Sequence, residues 1–168
     1  VVADEDRVVA GSTRGVLVDT GEGFERLGEP FEVAAVGLAE GHILAAGEGG
    51  RVLAWAEDRG WETVGEVDGP ARFDGALLAA DSGVYRVAET LDPLGLSGVN
   101  DVDSEGPFAA TDDGIYRRGA DRWDRGHSRP AATVVAAGGA VHAVDDRGAL
   151  DHAGGLWERV DVPALPVD

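Results

Sequence analysis

Apolar and polar positions follow one another along this chain in short bursts, and the same burst recurs five times. The segments RVVAGSTRGVL (Arg7 to Leu17), HILAAGEGGRVL (His42 to Leu53), ALLAADSGVY (Ala76 to Tyr85), PFAATDDGIY (Pro107 to Tyr116) and VHAVDDRGAL (Val141 to Leu150) share one layout. Each is an apolar run, then a small polar turn with glycine, then an apolar pair. The turn glycines Gly15, Gly50, Gly83, Gly114 and Gly148 are separated by 35, 33, 31 and 34 residues. A period of that size marks a repeat architecture, in which each copy is one supersecondary unit.

The runs are short, rich in Val, Leu and Ala, and bounded by Asp, Ser and Gly, which is the chemistry of strands joined by tight hairpins. Helical repeats of similar period need apolar spacing at i, i+3 and i+4 over 10 or more residues, and the frequent glycines prevent that. An aromatic follows nine residues after three of the glycines, as Phe24, Trp123 and Trp157, and eleven after Gly50, as Trp61. The third unit has Leu91 and Leu94 there instead. A further apolar segment precedes each hairpin, so each unit predicts about four short strands. Radially repeated four-stranded sheets satisfy this pattern best. The expected fold class is all-β, a β-propeller of about five four-stranded blades, near residues 1–30, 31–66, 67–95, 96–128 and 129–168. One propeller domain is expected over 1–168, either closed by pairing Val1–Ala3 with Val160–Val167 or cut from a longer ring.

Composition narrows the chemistry. Of 168 residues, 32 are acidic and 14 basic, giving a net charge of −18, and every basic residue is arginine. Without lysine there is no P-loop phosphate lysine and no Schiff base. Without cysteine there is no disulfide, thiolate nucleophile or Cys-ligated metal. A surface this negative repels nucleic-acid phosphates and anionic lipid heads, so general nucleic-acid binding is not expected. The weakly apolar stretch from Pro130 to Val144 is too short to span a bilayer. In molar salt the Debye length falls to about 3 Å, which screens the repulsion among these acids. The composition resembles that of salt-in halophilic archaea, and a high-salt cytosol is the expected setting, with export left open because the chain starts at Val1.

The recurring AADSGVYR and AATDDGIYRR, the second followed by a tryptophan, resembles the repeats of small haloarchaeal β-propeller proteins of unknown function. More distantly the repeats resemble sialidase-like and photosystem-assembly-factor-like propellers. The sialidase Asp-box, Ser-x-Asp-x-Gly-x-x-Trp, is absent; Asp81-Ser82-Gly83 and Asp112-Asp113-Gly114 keep only part of it. The resemblance implies the fold along the whole chain and no glycosidase activity.

Residues that break the repeat are the candidates for function. Asn100-Asp101-Val102-Asp103-Ser104-Glu105-Gly106 stands in register with Ala35-Val36-Gly37-Leu38-Ala39-Glu40-Gly41, so carboxylates replace apolar residues on an inner strand. Asp101, Asp103 and Glu105 at alternate positions, with Asp112 at the twelfth, follow the opening of a calcium loop, which makes Ca2+ the one candidate cofactor. The other reading is a solvated acidic hairpin, as at Asp4-Glu5-Asp6. Arg72 and Asp74 on the third inner strand could meet Asn100 and Asp101 in an axial channel, either as an ion pair or as acid–base groups. His142 takes the place of Leu44, Leu78 and Phe108, with His152 on the facing strand, and reads as a half-buried imidazole or a metal ligand short of partners. Arg117, Arg118, Arg122, Arg125 and Arg129 fall within thirteen residues around His127 and read as an anion or partner patch, or as outer-strand arginines paired with neighbouring acids. Tyr85 and Tyr116, like the wedge aromatics Phe24, Trp61, Trp123 and Trp157, read as packing residues. Trp55 lies outside both series.

The functional expectation is a non-enzymatic binding or scaffold propeller that meets a protein partner or small ligand at one face or at the channel mouth. The turns between second and third strands are expected to crowd that face. The alternative is a metal-assisted hydrolase or lyase using channel carboxylates, and fold alone does not choose between them.

Overall fold

In the computed structural model, described for residues 1–3, 7–39, 41–47, 49–69 and 72–160, the chain forms twenty strands and no helix among the described residues. The acidic run at 4–6 and the segment 161–167, invoked above for a hairpin and for ring closure, lie outside the described residues. The strands make five antiparallel four-stranded sheets in strict chain order. They are β1–β4 (Val2–Ala3, Val8–Ser12, Gly15–Asp19, Phe24–Leu27), β5–β8 (Val33–Ala39, His42–Gly47, Arg51–Ala56, Gly60–Glu66) and β9–β12 (Arg72–Asp74, Leu77–Ala80, Gly83–Val87, Leu91–Gly95). Then come β13–β16 (Val99–Asp103, Phe108–Thr111, Gly114–Arg118, Trp123–His127) and β17–β20 (Ala131–Ala137, Ala140–Asp145, Gly148–Ala153, Leu156–Arg159). This is the all-β, repeated-blade arrangement expected from the period, and no helix among the described residues is long and apolar enough to cross a membrane. The sheets fall into two compact units, 1–99 and 100–168.

Burial across each sheet explains the residue choice. The second strands β6, β10 and β14 are covered on both faces, so they read as continuous apolar runs instead of alternating ones. All four residues of β10 and of β14 are buried, and Ala45, Ala46, Ala79, Ala80, Ala109 and Ala110 are at most 2 % exposed. Alanine there lets neighbouring sheets approach closely at native density. Fourth strands are mostly exposed, which is why they carry the charges, as in Trp123–His127. Within the first unit one core joins the first two sheets through Val9, Val16, Val36, Ile43 and Ala45, and a second joins the next pair through Leu44, Val52, Phe73, Leu78 and Val87. Within the second unit Phe108, Ala110 and Ile115 pack on Ala131, Val134, Ala143 and Leu150.

Hairpin registers test the repeat alignment directly. Ser12 pairs with Gly15, Ala80 with Gly83, Thr111 with Gly114 and Asp145 with Gly148. Counting from those pairs, the residue equivalent to Phe108 and His142 in the third sheet is Leu77, not Leu78, because Leu77 pairs with Arg86 as Phe108 does with Arg117 and His142 with Asp151. Gly50 shows why the turn glycine recurs: its φ is +82° and a Cβ there would lie 2.0 Å from the Val67 carbonyl oxygen.

Wedge aromatics pack between sheets where two sheets of one unit meet. Trp61 donates its Nε1 proton to the Leu27 carbonyl at 2.9 Å and stands edge-on to Trp55 and Phe31. Trp157 stands edge-on to Phe108, with ring centroids 5.9 Å apart. Trp55 is therefore the cross-strand partner of Trp61. Phe24 departs from the expected wedge role, being 53 % exposed, and Trp123 carries the Arg118 guanidinium over its ring.

Candidate functional site

The inner-strand acids turn inward toward protein. Asp101 and Asp103 are buried, and their Oδ2 atoms accept hydrogen bonds from β17, the inner strand of the next sheet. Asp101 takes the Val134 amide at 3.2 Å and the Thr133 hydroxyl, while Asp103 takes the Ala136 amide at 2.7 Å and, through Oδ1, the Gly106 amide at 3.0 Å. The free edge of an inner strand presents amides that need acceptors, and these two carboxylates supply them. Glu105 is exposed, and Asp112 binds the Asn100 side chain at 3.1 Å. Among the described residues no three His, Asp or Glu side chains are grouped so as to hold a metal. Two independent acceptor duties, closing a turn and bridging to β17, produce the same alternation of acids that a calcium loop would.

A connected polar network occupies one end of the second unit, where the β14–β15 and β18–β19 turns meet the end of β16 and the entry to β17. Its centre is Asp145, whose side chain has no solvent exposure. Arg159 donates to both carboxylate oxygens, at 2.8 and 3.1 Å, the Arg147 amide donates at 2.8 Å, and His127 Nε2 lies 3.2 Å away. Arg129 reaches Asp145 at 3.5 Å and pairs with Asp146 through both its Nε, at 2.9 Å, and its Nη2. The hydrogen bonds from Arg159, then those from Arg147 and His127, hold the Asp145 carboxyl far below the usual carboxylate range against the opposing effect of burial. Asp146 is lowered chiefly by Arg129.

The neighbouring hairpin repeats the scheme. Asp113 accepts from the Thr111 and Tyr116 hydroxyls and from Arg125 at 3.3 Å, and these bonds lower its pKa, with Thr111 contributing most. Asn100 joins the two sheets by donating to Asp112 and to the Ala131 carbonyl at 3.0 Å. Tyr116 and Tyr85 are thus more than packing residues, since their hydroxyls close the turns through Asp113 and Ser82.

The arginine patch divides between two ends of its sheet. Arg125 and Arg129 belong to the network just described. Arg117 lies over the Phe108 ring, Arg118 over Trp123, and Arg122 pairs with Asp124 at 2.8 Å, all toward the β15–β16 turn. Antiparallel strands cause the split: β15 carries Arg117 and Arg118 away from the β14–β15 turn, and β16 returns Arg125 to it. His142 is exposed and its Nδ1 lies 2.5 Å from Asp151 across the hairpin, while His152 belongs to the opposite face and packs against Trp157. In the first unit, Arg72 is exposed and Asp74 half-buried on β9, flanking the buried Phe73.

Sequence reasoning missed Asp145, Asp113 and Arg159. A signal was present: the triplet aromatic–acid–arginine recurs as Phe24-Glu25-Arg26, Trp123-Asp124-Arg125 and Trp157-Glu158-Arg159, with its arginine eleven residues past a turn glycine in each case. Its arginine pairs with the third strand and, in the last two sheets, reaches the carboxylate of its own turn. The other signal is Asp145 itself, which stands where Ser12 and Thr111 close their turns with hydroxyls.

Solved structures similar to this chain include PorZ, an essential bacterial surface component of the type-IX secretion system of Porphyromonas gingivalis. It is 17% identical with a TM-score of 0.65, over 97% of this chain and 26% of that one. The extracellular domain of the putative one-component system BT4673 from B. thetaiotaomicron is 11% identical with a TM-score of 0.73, over 96% of this chain and 27% of that one. YCF48, solved bound to the D1 peptide, is 12% identical with a TM-score of 0.64, over 93% of this chain and 65% of that one. The chain therefore spans about a quarter of the first two proteins and less than two thirds of the third. At these identities the likeness shows the fold. No curated protein matches the sequence. The family model for HVO_0234-like β-propellers matches residues 1–168.

Proposed function

The chain belongs to the HVO_0234-like β-propeller family, and from that premise we propose that it is a non-enzymatic binding module, recognising a protein partner at the turn end of its last two sheets. The observation that carries this reading is the network around Asp145. Through Arg129 it holds the exposed Asp146, and the matching bonds at the neighbouring turn hold Asp112 through Asn100 and Arg125 through Asp113, and preorganisation of that kind lowers the entropic cost of recognition. The charges of the frame are matched with one another, and Asp101, one of the carboxylates an acid–base mechanism would draw on, already accepts the Val134 amide. Alternating Arg and Asp groups at an exposed end favour a partner of mixed charge and set register more than bulk affinity. YCF48, similar in fold, was solved with a peptide bound, which supports a polypeptide as the occupant. A charge of −18 without lysine supports a high-salt cytosol as its setting.

The test uses the partner that copurifies with the tagged chain from its own host at native salt. Combined Asp112→Ala, Arg125→Ala and Asp146→Ala removes that partner while the folded signal by circular dichroism is kept, and Arg122→Ala, at the other end of the sheet, retains it. Equal retention by both variants overturns the assignment.

A further inference from the structure

Most of the charge at the turn end of the second unit is already paired inside the chain. Arg159 binds both oxygens of Asp145, Arg129 binds both oxygens of Asp146, and Arg125 reaches Asp113 at 3.3 Å. Two groups are left open. Arg147, exposed in the β18–β19 turn, directly follows Asp145 and Asp146, yet its guanidinium makes no hydrogen bond or ion pair with the described residues. Its tie to the frame is its backbone amide, which donates to Asp145 at 2.8 Å. Asp112, exposed in the β14–β15 turn, gives Oδ1 to Asn100, and its Oδ2 takes no donor among the described residues.

In a chain with 32 acids and 14 arginines, an open carboxylate is the default. An arginine that adjoins two aspartates and pairs with neither is not, and the cause is that Arg159 and Arg129 already hold their oxygens. A guanidinium with its five donors open and facing water is a fork that fits a carboxylate through two parallel hydrogen bonds. We propose that Arg147 anchors the partner by taking a carboxylate side chain of an extended polypeptide segment, while Asp112 takes a basic side chain of the same segment. This role for Arg147 rests on the binding function proposed above and supplies the chemistry of its partner. Neighbouring sheets pack about 10 Å apart, so the two turns stand at roughly that spacing. Side chains three residues apart in a polyproline-II segment share one face at about 9 Å, so the matching pattern is an acid and a base with two residues between them. A segment with acids at both places sets a carboxylate against Asp112 and is repelled.

The partner that copurifies with the tagged chain is titrated against the parent, Arg147→Ala and Arg147→Glu at native salt. Arg147→Ala weakens binding about tenfold and Arg147→Glu weakens it further. Both variants keep the parent's urea midpoint, because the amide that serves Asp145 survives the substitution. A photoreactive residue at position 147 marks the partner's segment, and changing the acidic side chain found there to arginine restores binding to Arg147→Glu. Parent-like binding by Arg147→Ala, a marked segment without an acidic side chain, or a charge exchange that restores nothing overturns the role of Arg147. It leaves the binding function standing if the combined Asp112, Arg125 and Asp146 variant still loses the partner. Retention by that combined variant, or no copurifying partner at all, overturns both.

Discussion

Replacing Asp145 by alanine removes the acceptor at the centre of the polar frame. The side chain is fully covered, so no water stands ready to replace its oxygens. The Arg147 amide, bonded at 2.8 Å, loses a neutral hydrogen bond worth about 1 kcal/mol. Arg159 loses two charge-assisted bonds, which would be worth up to about 3 kcal/mol in a dry site. That figure is discounted to about 2 kcal/mol because Arg159 is 38% exposed and can turn to water. The expected destabilisation is therefore about 3 kcal/mol, at the lower edge of what breaking a buried ion pair costs. In a chain of this length it lowers the melting midpoint by roughly 6–12 °C. Urea denaturation followed by tryptophan fluorescence is the assay, since urea leaves ionic strength unchanged. Trp157, in contact with His127, reports on the affected sheet. Asp146→Ala, which removes only an exposed partner of Arg129, is the control and leaves the midpoint unchanged. A loss below about 1 kcal/mol for Asp145→Ala would refute the reasoning, because it would mean that the arginines stabilise the fold as well through water as through Asp145.

The same group predicts an acid limb. Asp145 stays ionised in the fold well below the pH at which the unfolded chain protonates it, near pH 4, so its contribution is full above that value and fades as pH falls below it. Asp145→Asn should flatten the stability profile between about pH 4 and pH 2, and an unchanged slope would contradict the pairing. Asp103→Ala leaves the Ala136 and Gly106 amides without their acceptor and should cost about 2 kcal/mol equally with calcium and with chelator. A midpoint that moves with calcium in the parent but not in the variant would return the acids to a metal site. Trp61→Ala, which removes the Leu27 bond and two edge-on ring contacts, should cost about 3 kcal/mol by thermal denaturation. Gly50→Ala, with its Cβ 2.0 Å from a carbonyl oxygen, should lower yield and midpoint more than Gly49→Ala, where a Cβ meets nothing within 4 Å.

The architecture was legible because a blade cannot bury its faces alone: each copy repeats the same turn glycine after an apolar second strand, four of the five add an aromatic at the start of the fourth strand, and the period shows through. Register to the residue was less legible, as Leu77 and Leu78 show. Both are buried, one on each face, so hydrophobicity cannot say which aligns with Phe108. The residues that break the repeat were visible in the sequence, but their contacts were not. Asp101 and Asp103 stood out on an inner strand, but a carboxylate that accepts an edge amide and one that ligates calcium look alike in sequence. Five clustered arginines looked like one patch because sequence proximity ignores the strand reversal that carries Arg117 and Arg125 to different ends. Asp145 was hidden by the opposite effect, an acid in a turn within a chain full of acids in turns, and only its burial sets it apart.

Site-resolved photocrosslinking in the native host tests the central claim most directly. A photoreactive residue at position 112, 125 or 146 is expected to capture the same partner at the turn end of the second unit, and one at position 122 to capture none. Capture from position 122 alone, or from all four positions equally, would contradict a binding site built on the Asp145 frame.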